Sequence, residues 1–160
     1  MTKRLLLVLV MALSTLGTTA TVVPTTANAS TATFANQIET AITKYTNIQR
    51  RAHSRGAVKY SSCVDRYAEH WSGYLASSGR FYHRSWRAIV SGCNKRYASE
   101  NIAKYRTTGA SADSIAKTIV RMWMNSSSHR AALLSSKART TGVGVRQSGS
   151  TWVAVQNFAS

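Results

Sequence analysis

In the stretch MWMNSSSHRAALL, Met122 to Leu134, an imidazole stands at the mouth of a helix. The apolar run carrying Trp123 stops at the polar block Asn125 to Ser128, and His129-Arg130 then open a second apolar run. Two roles fit that placement. Ser127 or Ser128 can accept a hydrogen bond from an orphan N–H of the next turn, which leaves His129 a solvated first-turn residue. Alternatively, the helix start delivers His129 to a site shared with distant residues. Ser126, Ser127 and Ser128 beside His129 also invite a serine-hydrolase reading. Such a pair is defined by geometry rather than adjacency, and no GxSxG turn accompanies it. His53 and His70 stand among charged or polar neighbours, as solvated histidines do. The remaining reactive side chains are Cys63 and Cys93. In an exported chain an even count suggests a disulfide, which would contribute about 3–4 kcal/mol through loop entropy. A pair of buried free thiols is the alternative. No second pair, CxxC or His-rich tract argues for a structural metal.

The elements that must position these groups follow from spacing. Phe34, Ile38, Ile42, Tyr45 and Ile48 recur at helical intervals and predict a helix from about Thr33 to about Arg51. Ser62 with Asp65 reads as an N-terminal cap for a second helix, its buried face marked by Cys63, Tyr67, Trp71 and Leu75 and its end by Gly79. From Phe81 to Tyr105 the pattern changes repeatedly. A short helix around Trp86 to Val90 and a short strand near Asn101 to Tyr105 are the elements it suggests. Ser111 with Asp113 starts a third helix lined by Ile115, Ile119, Met122 and Trp123, and His129 to Ser135 make a fourth. The tail alternates and carries Ser-Gly-Ser between Val-rich runs, a hairpin signal. Helices first and an antiparallel hairpin last give an α+β class.

The N-terminus resembles an export signal. Lys3 and Arg4 precede the apolar run Leu5 to Leu13, and Ala27-Asn28-Ala29 is a small-x-small cleavage triplet. The run is too short for a membrane span, which needs about 20 residues. Residues 1–29 are expected to be a signal peptide, 30–33 a short linker and 34–160 one domain. The location so implied is secreted and extracellular. Losing Lys3 and Arg4 would leave 19 of the 21 basic side chains against all 5 acidic ones. That balance favours anionic partners, such as envelope polymers or acidic lipids, with nucleic acid bound only non-specifically. Arg80, Arg84, Arg87, Lys95, Arg96, Lys104 and Arg106 surround Glu100, the one acid in that span. They either guide an anionic ligand or form a solvated loop in a uniformly basic protein.

Six pieces in order carry a family resemblance. They are Asn47 with Arg50, YAEHWSGYLA, HRS at His83, SENIA around Glu100, WMNSSSHRAALL around His129, and GVGV followed by WVAVQNF. On them the chain resembles the CAP superfamily (SCP domain; cysteine-rich secretory proteins, antigen 5 and pathogenesis-related proteins), most closely its bacterial secreted branch. The resemblance implies a three-layer α-β-α sandwich with a central antiparallel sheet and a cleft on one side. It implies no particular reaction. It also implies cleft residues: His83 and His129 match the family's histidines and Glu100 its first glutamate. Ser126 stands where many eukaryotic relatives have the second glutamate.

Two imidazoles and one carboxylate, His83, His129 and Glu100, would suit a divalent cation such as zinc, with water completing the shell. The alternative is a hydrogen-bonded cluster that holds loops in place. The function expected is a monomeric secreted domain that binds an apolar or anionic ligand, a lipid or envelope component, in the cleft without need of catalysis. Two further classes stay open: a metal-assisted hydrolase of peptide or phosphodiester bonds, and a cationic adhesion or antimicrobial factor acting by charge.

Overall fold

The computed structural model describes residues 26–160. Helix α1 spans Thr26–Ala52, followed by strand β1 (Lys59–Tyr60), helix α2 (Ser62–Ser78), helix α3 (Arg87–Gly92) and strand β2 (Ala98–Arg106). Helix α4 (Ala112–Asn125), helix α5 (Ser127–Leu133) and the hairpin β3 (Thr140–Ser148) and β4 (Thr151–Ala159) complete the chain. The expected leader falls outside the described residues up to position 25. Residues 30–33, expected as a linker, continue α1 instead. Ala and Thr there sustain the helix, and the Thr33 hydroxyl donates to the Ala29 carbonyl one turn earlier at 2.9 Å.

The sheet order is β1-β3-β4-β2. The three long strands are antiparallel, and β1 adds a two-residue parallel pairing to Thr140 and Thr141 of β3. Alternation along β4 separates two cores. Trp152, Ala154 and Phe158 pack with Ile38, Ile42, Ile115, Ile119 and Trp123 from α1 and α4. Val153 and Val155 pack with Ala68, Trp71 and Leu75 of α2 on the opposite face. Burial on both faces explains why β4 reads as an apolar run. The result is the expected α+β sandwich of helices, sheet and helices.

The contact between α2 and β3 is made by backbone. A Cβ on Gly142 would stand 2.2 Å from the Asp65 Cα, and one on Gly144 would stand 2.5 Å from the Ala68 carbonyl carbon. Only glycine lets the helix lie this low on the strand. The closeness recasts Asp65, which does not cap α2. Residue Ser61 takes the cap position, without a side-chain cap bond, and Asp65 Oδ1 accepts the Val143 N–H at 3.0 Å. Two positions on, Glu39 Oε1 of α1 accepts the Val145 N–H at 2.8 Å. Beyond the two residues covered by β1, carboxylates thus stop the outer edge of β3. The buried stripe of α2 is Val64, Ala68, Trp71, Ser72 and Leu75. Trp71 and Leu75 are buried as expected, while Val64 and Ala68 take the places expected of Cys63 and Tyr67, because Cys63 turns to its bridge with Cys93 and Tyr67 turns toward Gly92. Met122 is likewise exposed rather than core.

Arg50 is 1 % exposed and has only carbonyl partners. Its guanidinium donates to Gly56 O (2.8 Å), Leu133 O (2.7 Å), Ser135 O (3.1 Å) and Ala138 O (3.3 Å). It joins the end of α1 to the C-terminus of α5, where unpaired carbonyls favour a cation. Asn47 pairs with both backbone groups of Val58, at 2.9 and 3.1 Å.

The glycine contact is open to test. Gly142→Ala and Gly144→Ala should each lower stability by about 2 kcal/mol or more, since helix backbone has to move. Gly73→Ala, inside α2 with open space around its Cβ, should raise it by about 0.5–1 kcal/mol. Denaturant unfolding of the three variants measures the difference.

The edge plug has a pH signature. Burial first, then the Glu69 charge and hydrogen bond, push Glu39 up to about 8 against the pull of the Val145 N–H and Arg146. A carboxyl raised in the fold stabilises it fully below its ordinary value near 4.5, and that contribution is lost as pH rises through about 8. Glu39→Gln keeps an acceptor for Val145 but cannot ionise. Melting temperatures from pH 5 to pH 9 should fall for the wild type and stay flatter for the variant, with the variant more stable at pH 9.

Candidate functional site

The segment between α2 and α3 carries His83. Gly79, in the left-handed conformation at φ 70°, ends α2. Lys104 of β2 donates to the Gly79 carbonyl at 3.1 Å. Tyr82 stands edge-on to Trp71 at 5.1 Å, and the Trp71 indole N–H donates to Tyr82 O at 3.3 Å. Trp71 itself stacks on Tyr74 at 4.9 Å. The Cys63–Cys93 disulfide joins the first turn of α2 to the end of α3, so it brackets the whole segment.

Strand β2 meets this segment from the sheet. Glu100 Oε1 accepts from His83 Nδ1 at 3.0 Å and from the Arg84 N–H at 2.9 Å. The Glu100 side chain is 5 % exposed while that of His83 is 53 % exposed. Burial raises the Glu100 pKa, and the Arg84 N–H and His83 pull it back.

His129 arrives from the other face. Asn101 Nδ2 donates to the His129 carbonyl at 3.0 Å, and the Trp123 indole N–H donates to Ile102 O at 3.0 Å. Residues 100, 101 and 102 therefore hold the His83 segment, α5 and α4 in turn. His129 Nδ1 lies 2.8 Å from Ser126 Oγ, and the two imidazole centroids are 5.9 Å apart. Burial, and secondarily the His83 charge, lower the His129 pKa, so the ring is neutral at pH 7.

The structure brings His83, Glu100, His129 and Ser126 together. It does not arrange them as a three-ligand metal shell, and no three His, Cys, Asp or Glu among the described residues are so placed. Glu100 commits Oε1 to His83 Nδ1 and to the Arg84 N–H, while its Oε2 is buried without a hydrogen-bond partner. Glu100 orients one imidazole and Ser126 contacts the other, both through Nδ1. The two Nε2 atoms are the donors left over, an arrangement known to prepare histidine for a cation. Ser126 and His129 do not make a hydrolase triad, because the carboxylate that would orient His129 is bound to His83. Within the cluster His83 is exposed, His129 half-buried and the Glu100 side chain buried. Sequence reasoning missed Asn101. A strand-disfavoured amide inside β2 was the signal that its side chain has a role. His53, expected to be solvated, is exposed and bonds Gln49 O at 2.9 Å.

Residues 43–158 match the family model CAP, Cysteine-rich secretory protein family. Among curated proteins, none matches the chain in sequence. Several solved structures share the fold. An extracellular protein of Bacillus anthracis containing an SCP domain is 24 % identical, with a TM-score of 0.67 over 85 % of this chain and 44 % of that one. The chain therefore spans less than half the length of that protein. An outer surface protein of Borrelia burgdorferi is 15 % identical, with a TM-score of 0.64 over 77 % of this chain and 92 % of that one. NaASP2 with Zn2+ is 11 % identical, with a TM-score of 0.62 over 78 % and 80 % of the two chains. No helix among the described residues is long and apolar enough to cross a membrane.

The imidazole pair makes its own prediction. Removing the neighbouring charge by His83→Ala should raise the His129 pKa, yet leave it below its ordinary 6.5, because burial is the larger cause. NMR titration of the His129 ring in both proteins checks this; a full return to the ordinary value would contradict burial as the main cause.

Proposed function

Because the chain belongs to the CAP family of cysteine-rich secretory proteins, we propose that it is exported, with residues 1–29 as its signal peptide, and works outside the cell as a ligand-binding domain. The ligand is an anionic or apolar component of an envelope, held over His83, Glu100 and His129. The observation that carries this reading is the pair of imidazoles fixed through Nδ1 by Glu100 and Ser126, which leaves the two Nε2 atoms for a ligand, one on the exposed His83 and one on the half-buried His129. Exposed Phe81 and Tyr82 beside His83 add apolar contact area. Ser126 touches His129, but the cluster's carboxylate is bound to His83 and does not orient that ring, so binding rather than turnover is the role supported best.

A second reading, a metal-assisted hydrolase, is favoured by the same two nitrogens. His83 and His129 would hold a divalent cation with water filling the shell; NaASP2, a protein of the same fold, was solved with Zn2+. When bound, such an ion supplies a Lewis acid. The chain's own contribution is to keep His129 neutral through burial and to orient His83 through Glu100.

Retention on envelope preparations, wall and lipid fractions separately, tests the proposal across a salt series. Wild type should be retained at moderate salt, and His83→Ala with His129→Ala should release it. Equal retention of both proteins, abolished by salt alone, would leave only a cationic adhesion factor. Cleaved envelope material that appears with wild type and not with the variant would establish the hydrolase instead. Calorimetry with zinc adds a pH arm. Affinity should be weak, absent from either single variant, and lower at pH 5.5 than at pH 7.5, because the ligating rings must be neutral.

A further inference from the structure

We propose that the cavity between α2 and the end of α3, lined by Arg66, Tyr67, His70, Arg84 and Gly92, is a binding site for a phosphoester anion. It measures about 310 Å³. Arg66 and His70 are one turn apart on α2 and so share a face. Arg84 enters from the His83 segment. Its guanidinium lies 4.8 Å from the Tyr67 ring centroid and 5.6 Å from that of Trp71, with Nη1 3.5 Å from Tyr67 O. The charge is thus held against aromatic faces rather than by a carboxylate.

Nothing acidic lines the cavity, and the protein's own acids are engaged elsewhere. Asp65 and Glu39 bond the edge of β3. Glu69 pairs with Arg146, Asp113 with Lys44, and Glu100 with His83. Neither Arg66 nor Arg84 has an ion-pair partner among the described residues. Two guanidinium groups without a carboxylate in ion-pair contact, around one cavity, favour an anion there.

The wall is built as well as charged. A Cβ on Gly92 would stand 1.8 Å from the Tyr67 hydroxyl, so the bare glycine makes room for that oxygen. The disulfide fixes Cys93, next to Gly92, to α2. Two guanidinium forks, an imidazole and a phenol provide more donors than one carboxylate can use. They suit the several oxygens of a phosphate ester. Such an ester can be a lipid headgroup or a soluble or polymeric phosphate, and the chemistry in the cavity is the same. The site is separate from the imidazole pair and adjoins it through Arg84, whose backbone N–H bonds Glu100 and whose charge favours the ionised Glu100.

The test uses the full chain with inorganic phosphate and glycerol phosphate in calorimetry. Phosphatidylglycerol and phosphatidylcholine vesicles are compared by co-sedimentation. Wild type should bind the soluble anions saturably. Arg66→Gln and Arg84→Gln should each weaken binding about tenfold or more. Arg121→Gln, the same charge change on the exposed face of α4, should stay within about twofold. Arg66 is exposed, so its variant decides the matter even if loss of Arg84 perturbs folding. Vesicle binding that depends on both phosphatidylglycerol and Arg66 would identify a lipid headgroup as the carrier. Vesicle binding indifferent to Arg66, with soluble binding still dependent on it, would identify a soluble or polymeric ester. Absence of saturable binding to any probe, or equal loss across all three arginine variants, would overturn the site. Failure of the histidine-dependent envelope retention would leave these outcomes untouched.

Discussion

Two absent Cβ atoms set the geometry of half this protein. Because Gly142 and Gly144 carry no side chain, the backbone of α2 rests on the backbone of β3. That depth places the Asp65 carboxylate against the Val143 N–H. It also seats Trp71 and Leu75 on Val153 and Val155, and Trp71 in turn holds Tyr82. His83 follows Tyr82 directly, so the position of a solvent-facing imidazole traces back to a helix–strand contact far below it. Any side chain at either glycine would lift α2 and everything suspended from it.

The other half depends on charge without a counter-ion. Arg50 is buried among four carbonyl oxygens. A cation taken out of water is costly unless its donors are used, and here its nitrogens meet the exposed carbonyls where α5 ends. That anchors the far end of α5 while Asn101 fixes its near end at the His129 carbonyl. Strand β2 reconciles the two halves. Consecutive residues of a strand point to opposite faces. Glu100 therefore reaches the α2 side and Asn101 the α5 side, and the imidazoles meet across the strand at the sheet's edge.

Much of this was legible in the residues, where the signal was local or ordered along the chain. Ser111 caps α4 as its spacing suggests, its hydroxyl accepting from Ser114 N at 3.3 Å. The Ser-Gly-Ser signal closes a hairpin over Gly149 and Ser150. The six ordered pieces identified the family, and the paired cysteines are bridged. What escaped was decided by contacts between distant segments. Strand β1 is two residues long, too short for any period, and exists because Lys59 and Tyr60 pass beside β3. Asp65 looked like a cap because Ser62 lies three residues before it, yet its partner is 78 positions away. Glu100 looked like a ligand by type. Its hydrogen bonds commit Oε1 to His83 and to the Arg84 N–H, a pairing that residue type alone cannot show.

The Glu39 plug ties the cover of the β3 edge to the first helix. An uncovered strand edge offers N–H and C=O groups to any passing strand, and Val145 is kept from doing so by Glu39. Glu39 is the middle residue of the 27-residue α1. Removal of α1 up to and including Glu39 would take away no part of the imidazole cluster. It would strip the stopper from Val145 and leave a template for strand addition between copies.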